Sequence, residues 1–355
     1  MPESLYVIPA DDDLAWTGWL EPADHDFYHG AAYHRFSAAS GEGEPFLAVY
    51  GSRDRYLAWP YLLRRLDGLS DLCDLTSVYG YPGPVAFGLQ AGDPFVARAR
   101  RALEDLWRSQ NVVTAFTRFH PLLENHRWAG SSAAAGVVPG GETVSIDLSV
   151  PETVQWSDYQ ASLRNRINRG RRLGLRTEPD PCWAHLDDFV AFYHATMRRN
   201  RAGARWFFSA DYFRRLRRAL GANAVLMLTR LDGALAAAGI FIAYRGIVAN
   251  HFSMNNEAWL HLAPTKILLD DVRRWAGARG ERLFHLGGGR SSTEDSLFAF
   301  KAAFSRRRHR FYTLRRVLDP PVYRELCAAL PAAAGTFFPA YRAALEQPAA
   351  AAALA

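Results

Sequence analysis

Of the 42 basic side chains in this sequence, only Lys266 and Lys301 are lysine; the other 40 are arginine. Lysine carries a compact, rotatable point charge whose pKa responds to burial, whereas arginine carries a rigid planar fork that stays charged. In a chain so biased, a retained lysine marks a position where a guanidinium fails. Lys301 lies in His285 to Phe304, HLGGGRSSTEDSLFAFKAAF. A preplaced cation at a partly desolvated site stabilises a developing oxyanion, an effect on the order of 3 kcal/mol for one donor. The plain structural alternative is a lysine snorkelling at the edge of a core helix.

The flanking residues predict how Lys301 is held. Arg282 to Leu286 reads as a short strand, and Gly287-Gly288-Gly289 permits backbone conformations that a Cβ would block. Ser291 with Glu294 fits a capping box that opens a helix. On that helix Leu297, Phe300 and Phe304 fall within an arc of roughly 60°, with Lys301 beside it. Lys266 is expected in the first turn of a helix from Pro264 to Ala278, where a cation opposes the helix dipole unless an anion binds.

Composition narrows the class. The net charge is +6, compatible with a polyanionic partner. Cys73, Cys182 and Cys327 lack metal-ligand or CxxC spacing, which points to a reduced compartment. The N-terminus lacks the basic and apolar regions of a secretory signal, and the apolar run Ala234 to Tyr244 is too short to span a bilayer. These features read as a cytoplasmic protein without stable membrane insertion. His25 and His29 are spaced i, i+4 with His34 nearby, but no further ligands complete a metal site, so none is expected.

Hairpin, strand, helix, strand, helix, strand is the order of the second half. Its hairpin is Ala224–Arg230 with Ala234–Tyr244. Ile247–Met254, the Pro264 helix, the 282–286 strand, the Lys301 helix and a strand at Arg310–Arg316 follow. Ahead of these come a basic helix striped by Trp156, Tyr159, Leu163 and Ile167, a helix over about Leu186–Arg199, and one capped by Ser209. The first half carries a weaker copy. It has a hairpin within 45–59, a Gly/Pro-rich loop Ser77–Pro84, a helix opened by Asp93-Pro94, and strands Val112–Thr117 and Thr143–Leu148. The fold class expected is α/β (α+β): two tandem domains over 1–150 and 151–320, each a mixed sheet flanked by helices. An Ala-rich helical tail follows over 321–355, frayed at Ala349–Ala355.

This order is that of the GCN5-related N-acetyltransferase (GNAT) fold. Two such domains, with the second ending in GGG, an acidic residue and LFxFKxxF, resemble the Fem family of aminoacyltransferases and its FemAB-like or BioF2-like relatives. The loop Tyr79-Gly80-Tyr81-Pro82-Gly83-Pro84, the turn Arg118-Phe119-His120-Pro121 and the basic helix Ser162 to Asn168 share the resemblance, which spans about residues 20 to 320. It implies transfer of an amino acid from aminoacyl-tRNA to a small-molecule or peptidyl amine, with Phe300-Lys301 at the reaction centre. The coiled-coil arm common in the family's cell-wall members has no counterpart between Leu186 and Arg230. Substrate-binding candidates are Tyr79, Tyr81, Arg118, His120, His251, His285 and Arg290. Arg164, Arg166, Arg169, Arg172 and Lys266 are candidates for the tRNA backbone, since phosphate contacts give affinity without reading sequence. Arginines also cluster at 198–205, 214–218 and 306–310.

No separate cofactor is expected, aminoacyl-tRNA being a co-substrate, with acetyl-CoA as the alternative donor. Acetyl-CoA enzymes of this fold usually place a glycine-containing loop before the central helix to cradle pyrophosphate. The matching loop here, Asn256 to Ala263, has no glycine. A non-catalytic binding module of the same fold is the third reading.

Overall fold

The computed structural model describes residues 3–66, 71–90, 92–130, 135–290, 295–329 and 337–343. The chain forms two compact units, Met1–Gly140 with Phe311–Ala355, and Gly141–Arg310.

In the first unit the chain runs β1 (Ser4–Pro9), α1 (Asp13–Leu20), α2 (Ala31–Ala38), β2 (Glu44–Ser52), β3 (Arg55–Arg65), β4 (Cys73–Thr76), β5 (Val85–Phe87), α3 (Pro94–Ser109) and β6 (Val112–Arg118). Antiparallel pairs join β1 to β2, β2 to β3 and β3 to β4. β4 and β6 are parallel, Cys73 opposite Val112. A crossover helix is what a parallel pair requires, and α3 provides it. Pro94 sits in its first turn, Asp93 caps it, and Phe95, Ala99, Leu103 and Trp107 are buried on one face. Those side chains pack on Leu57, Trp59, Leu75 and Ala115 of the sheet.

The second unit repeats the plan. After β7 (Val137–Asp147) come α4 (Glu152–Asp158), α5 (Ala161–Arg172), β8 (Arg176–Pro179), α6 (Leu186–Arg199), α7 (Ala210–Leu220), β9 (Ala224–Leu231), β10 (Ala234–Tyr244), β11 (Ile247–Asn255), α8 (Pro264–Ala278), β12 (Leu283–Gly288) and α9 (Ser296–Ala302). β8 to β11 are successively antiparallel, and β11 then pairs β12 in parallel across the α8 crossover. The sheets match at their far strands too. β12 takes Thr143–Asp147 of β7 antiparallel, and β6 takes Thr313–Val317 of β13 (Arg308–Val317) antiparallel. Thus β6 and β12 hold equivalent places in two copies of one topology.

Three expectations are corrected. Contacts place the break at Gly140 rather than residue 150, because β7 belongs in part to each unit. The stretch after Pro320 is no separate tail. α10 (Pro320–Ala329) and Tyr341 pack Leu326 and the Tyr341 ring against Leu66 and Val113. Tyr341 Oη hydrogen-bonds Thr114 Oγ1 at 2.9 Å, and Arg342 Nε pairs with buried Asp74 at 2.6 Å. Ala349–Ala355 lies outside the described residues. Finally, the basic helix is two helices, because Tyr159 and Gln160 are extended. The guanidinium of Arg164 donates to the carbonyls of Ser157 and Tyr159 and so satisfies the broken turn.

His25, His29 and His34 serve the first unit's packing. His25 Nδ1 is 3.0 Å from the Ala23 carbonyl, His29 closes a capping box with Asp26, and His34 Nδ1 is 3.0 Å from the Gly30 carbonyl. Burial pushes the His34 imidazole down to about 4, against that hydrogen bond, and holds His29 well below its ordinary range. A histidine depressed on folding binds protons better when unfolded. Its stabilising effect is therefore full above about pH 6.5 and is lost as pH falls toward 4. For His34 the loss is on the order of 3 kcal/mol. Its ring lies 5.1 Å from that of Trp16, so tryptophan emission during acid titration should report the transition. In His34→Leu the stability lost between pH 6.5 and 4 should shrink; an unchanged loss would refute the assignment.

Candidate active site

β11 and β12 are paired only from Ile247↔Leu283 to Ala249↔His285. Beyond His285 the two strands part, and β12 is further displaced by a register shift between His285 and Gly287 on its β7 side. Gly287 has φ +79°, the left-handed region where a side chain is strained. A Cβ on Gly288 would lie 2.7 Å from the Glu142 carbonyl. The glycines thus let the strand end turn closely past β7.

Lys301 reaches this strand end from α9. Its Nζ donates to the Gly288 carbonyl at 2.7 Å, and an ideal Cβ on Gly287 would lie 3.2 Å from it. The side chain is 9% exposed. Burial pushes its pKa down to about 8, against the pull of the Asp295 carboxylate. Among the described residues no carboxylate lies within ion-pair distance of Lys301. This lysine is more deeply set than a snorkelling side chain, and it lies within the buried face rather than beside it.

The helix differs from expectation for a clear reason. Asp295 caps it, accepting from Phe298 N and from Arg290 N, each at 2.8 Å. With the start fixed there, Phe298 and Lys301 form the buried pair i, i+3, and Phe304 lies past the helix end. The anticipated Ser291–Glu294 box lies outside the described residues. Asp158 steadies the other end through the Arg306 amide and the Ser305 hydroxyl.

The second lysine is next door. Lys266 Nζ lies 5.8 Å from the centroid of Phe300, the residue that precedes Lys301 on α9. Lys266 is half-buried, and burial and the Arg166 guanidinium lower its pKa. Among the described residues it too has no ion-pair partner. The amide of Thr265, one residue earlier, is satisfied by Asn255 Oδ1 at 3.1 Å. Ala263 at φ +51° stands where a glycine would be expected.

The basic helix sorts its arginines. Arg164 is consumed by backbone carbonyls, which corrects its place among the phosphate candidates. Arg171 bridges Asp270 and Asp271. Arg166, Arg169 and Arg172 are exposed, and no ion pair holds them among the described residues. The other clusters are largely engaged: Arg199 with Glu257, Arg214 with Asp187, Arg307 with Asp147, Arg310 with Glu142.

His251 follows the β11 fork, its ring 4.6 Å from Phe252, and burial pushes its pKa down to about 4. His285 is buried at the last paired position, and Arg290 is exposed, 3.7 Å from Asp295. Tyr79, Tyr81, Arg118 and His120 form a separate group in the first unit. Tyr79 is exposed, its carbonyl held by Tyr33 Oη, and Tyr81 packs on Phe311 at 5.4 Å. The Arg118 side chain has no ion-pair partner among the described residues. His120 is fully buried and committed to the fold. Its Nδ1 accepts from the amides of Leu122 and Leu123, so Nε2 carries the proton and donates to Asp26 at 3.0 Å. With both nitrogens engaged, His120 drops out as a substrate ligand. Asn125 completes that network by donating to the carbonyls of Pro82 and Pro84.

The geometry agrees with the comparisons. Residues 157–302 match the family model described as an acetyltransferase (GNAT) domain. The solved structure of FemX aligns over 92% of this chain and 99% of its own, with TM-score 0.67 and 11% identity. This is the Fem-like tandem GNAT fold. The C-terminal domain of a putative lysylphosphatidylglycerol synthetase from Agrobacterium fabrum aligns over 86% of this chain and 91% of its own (TM-score 0.54, 16% identity). A conserved protein of unknown function from Bacteroides thetaiotaomicron aligns over 88% and 99% (TM-score 0.53, 11% identity). No curated protein matches the sequence. The chain therefore carries an acyltransferase domain. Among the described residues no helix is long and apolar enough to cross a membrane, and no group of three or more His, Cys, Asp or Glu is arranged for a metal.

Proposed function

We propose that this protein moves an amino acid from aminoacyl-tRNA to an acceptor amine, forming an amide bond. The observation that carries the reading is the buried Lys301 ammonium, held by the Gly288 carbonyl alone among the described residues. A cation so placed has paid its desolvation in the free protein and gains a partner only as charge develops on a bound acyl carbonyl. Lys266 lies against Phe300, the neighbour of Lys301 in sequence, and Arg166, Arg169 and Arg172 continue the positive charge onto the exposed side of α5. Such a row suits a phosphate backbone. Acyl-CoA suits the site less well, because the loop before α8 lacks glycine and Asn255 already occupies the Thr265 amide. The name of the Agrobacterium neighbour, a lysylphosphatidylglycerol synthetase, is consistent with aminoacyl chemistry on this fold.

Binding of charged tRNA should weaken steeply with salt, as arginines displace counterions from phosphate. Arg169→Glu with Arg172→Glu should weaken it further and flatten the salt slope, with thermal unfolding unchanged. Purified protein should form amide from charged, radiolabelled tRNA across candidate amines, and not from acetyl-CoA. Salt-insensitive tRNA binding together with acetyl transfer would replace this reading with an acyl-CoA-dependent N-acyltransferase.

A further inference from the structure

The acceptor amine reaches neutral solution as an ammonium ion, and an ammonium cannot attack a carbonyl. The reaction needs a base near Lys301, on the acceptor's side. We infer that His285 is that base, positioned by a polar strip formed with Ser145 and His309. The inference rests on the acyl-transfer reading above.

Three observations carry it. His285 is the last residue at which β11 and β12 remain paired, so it borders the opening between them. It lies three residues before Gly288, whose carbonyl holds Lys301. Phe284 and Leu286 on either side of it point into the second unit's core with α8 and α9 residues. Strand alternation therefore puts His285 on the opposite face from Lys301. The glycines beyond it leave the strand end without side chains, so groups on the two faces can approach one reacting carbon there.

The strip is unusual chemistry for a sheet interior. Ser145 sits directly across from His285 in the β7–β12 register, and its Oγ is 2.7 Å from His309 Nε2. Thr143 Oγ1 donates to the His309 carbonyl at 3.3 Å, which fixes the backbone behind that imidazole. Thr143, Ser145 and His285 are each nearly inaccessible to solvent. Buried polar groups in a row cost stability unless they are hydrogen-bonded, and a row of hydroxyl and imidazole groups can hold or pass a proton. Other charged or titratable groups on the neighbouring elements are Asp147 with Arg307, Glu142 with Arg310, Asp295 with Arg290, Arg308 on β13, His251 on β11 and Lys301 from α9. Each of these carboxylates faces an arginine, and burial holds the His251 imidazole down at about 4, which leaves His285 and His309 as the candidate bases.

The step balances. Neutral His285 takes one proton from the ammonium, and the freed amine adds to the acyl carbonyl, forming the C–N bond. Lys301 faces the resulting oxyanion. On collapse the C–O bond to the donor ribose breaks, and the leaving oxygen takes the second proton from the nitrogen. The products are an amide, an alcohol and protonated His285, which returns its proton to solvent.

The test compares two acceptors in the full-length protein. An alkylamine arrives protonated at pH 7, whereas hydroxylamine arrives unprotonated. His285→Gln should lower turnover with the alkylamine by about 10²-fold and erase the acid limb of its pH profile. Turnover with hydroxylamine should stay close to wild type, which also shows that the variant is folded. His309→Leu should shift the acid limb, and His309→Gln, which retains a partner for Ser145, should restore it. Equal losses with both acceptors, or no loss with either, would overturn the assignment. Either donor requires a deprotonated amine, so the comparison runs with charged tRNA or with acetyl-CoA, whichever turns over. Turnover with acetyl-CoA alone would sink the tRNA reading and leave the base intact. Turnover with neither would sink both.

Discussion

Lys301→Met is expected to lower turnover by about 10²-fold or more while the protein stays folded. Methionine keeps the unbranched stem and good helix propensity, so α9 should still form and Phe298 should still pack. What disappears is a nearly buried cation whose hydrogen-bond partner among the described residues is one backbone carbonyl. Losing a single hydrogen bond costs about 1 kcal/mol, and relief from burying the charge offsets it, so thermal unfolding should move little. Substrate affinity should also change little, because the interaction strengthens only as the oxyanion forms. The pH profile gives a second reading. Burial pushes Lys301 down to about 8, so the cation proposed to face the oxyanion is lost as pH rises through that value. Wild-type turnover should therefore fall on the alkaline side near pH 8. Lys301→Arg should show no such limb and should still turn over poorly, since a planar guanidinium cannot place its charge at the Gly288 carbonyl. Near-normal turnover in folded Lys301→Met would make the lysine structural.

The lysine was legible in the sequence because composition isolates it, and the glycine triplet before it announces a strand end. Its depth was not legible. The helix pattern alone placed Leu297, Phe300 and Phe304 on the buried face, and the register depends on which residue caps the helix. Asp295 wins because its carboxylate satisfies two amides, Phe298 N and Arg290 N, which a helical wheel cannot show. The repeated strand–helix–strand order was readable from β6 and β12, whose apolar runs follow helices opened by Pro94 and Pro264. β1, β4, β5 and β8 were not recognised, being three to six residues long, too short for periodicity to distinguish them from loops. The His285 strip escaped notice for a different reason. Ser145 and His309 are 164 residues apart, and only the β7–β12 register brings Ser145 to His285.

Asp270→Ala is expected to destabilise the second unit by about 3–5 kcal/mol, because it removes the buried carboxylate from Arg273, an arginine that water does not reach. Asp270 is fully buried on α8, where Oδ1 accepts from Tyr159 Oη and Arg273 Nε, each at 3.0 Å, and Oδ2 accepts from Arg171. Arg273 is only 1% exposed, held also by Gln155 Oε1 at 2.7 Å. Removing the carboxylate leaves that guanidinium with only the half-exposed Glu152 carboxylate, at 3.2 Å, to balance its charge. The control is Asp271→Ala, whose carboxylate also meets Arg171 but is about one-fifth exposed and should cost about 1 kcal/mol or less. Function should follow stability along the same path. Arg171 ties α5 to α8 beside the apolar packing of Leu163 and Ile167, and α5 also presents Arg166, Arg169 and Arg172. At temperatures where Asp270→Ala remains folded, tRNA affinity should therefore fall although none of the arginines proposed to face phosphate has changed. Denaturant midpoints for the two variants, with tRNA binding measured below the transition, decide the matter. An Asp270→Ala protein no less stable than Asp271→Ala would show that Glu152 alone balances Arg273, and that the Asp270 carboxylate does not hold the basic helix in place.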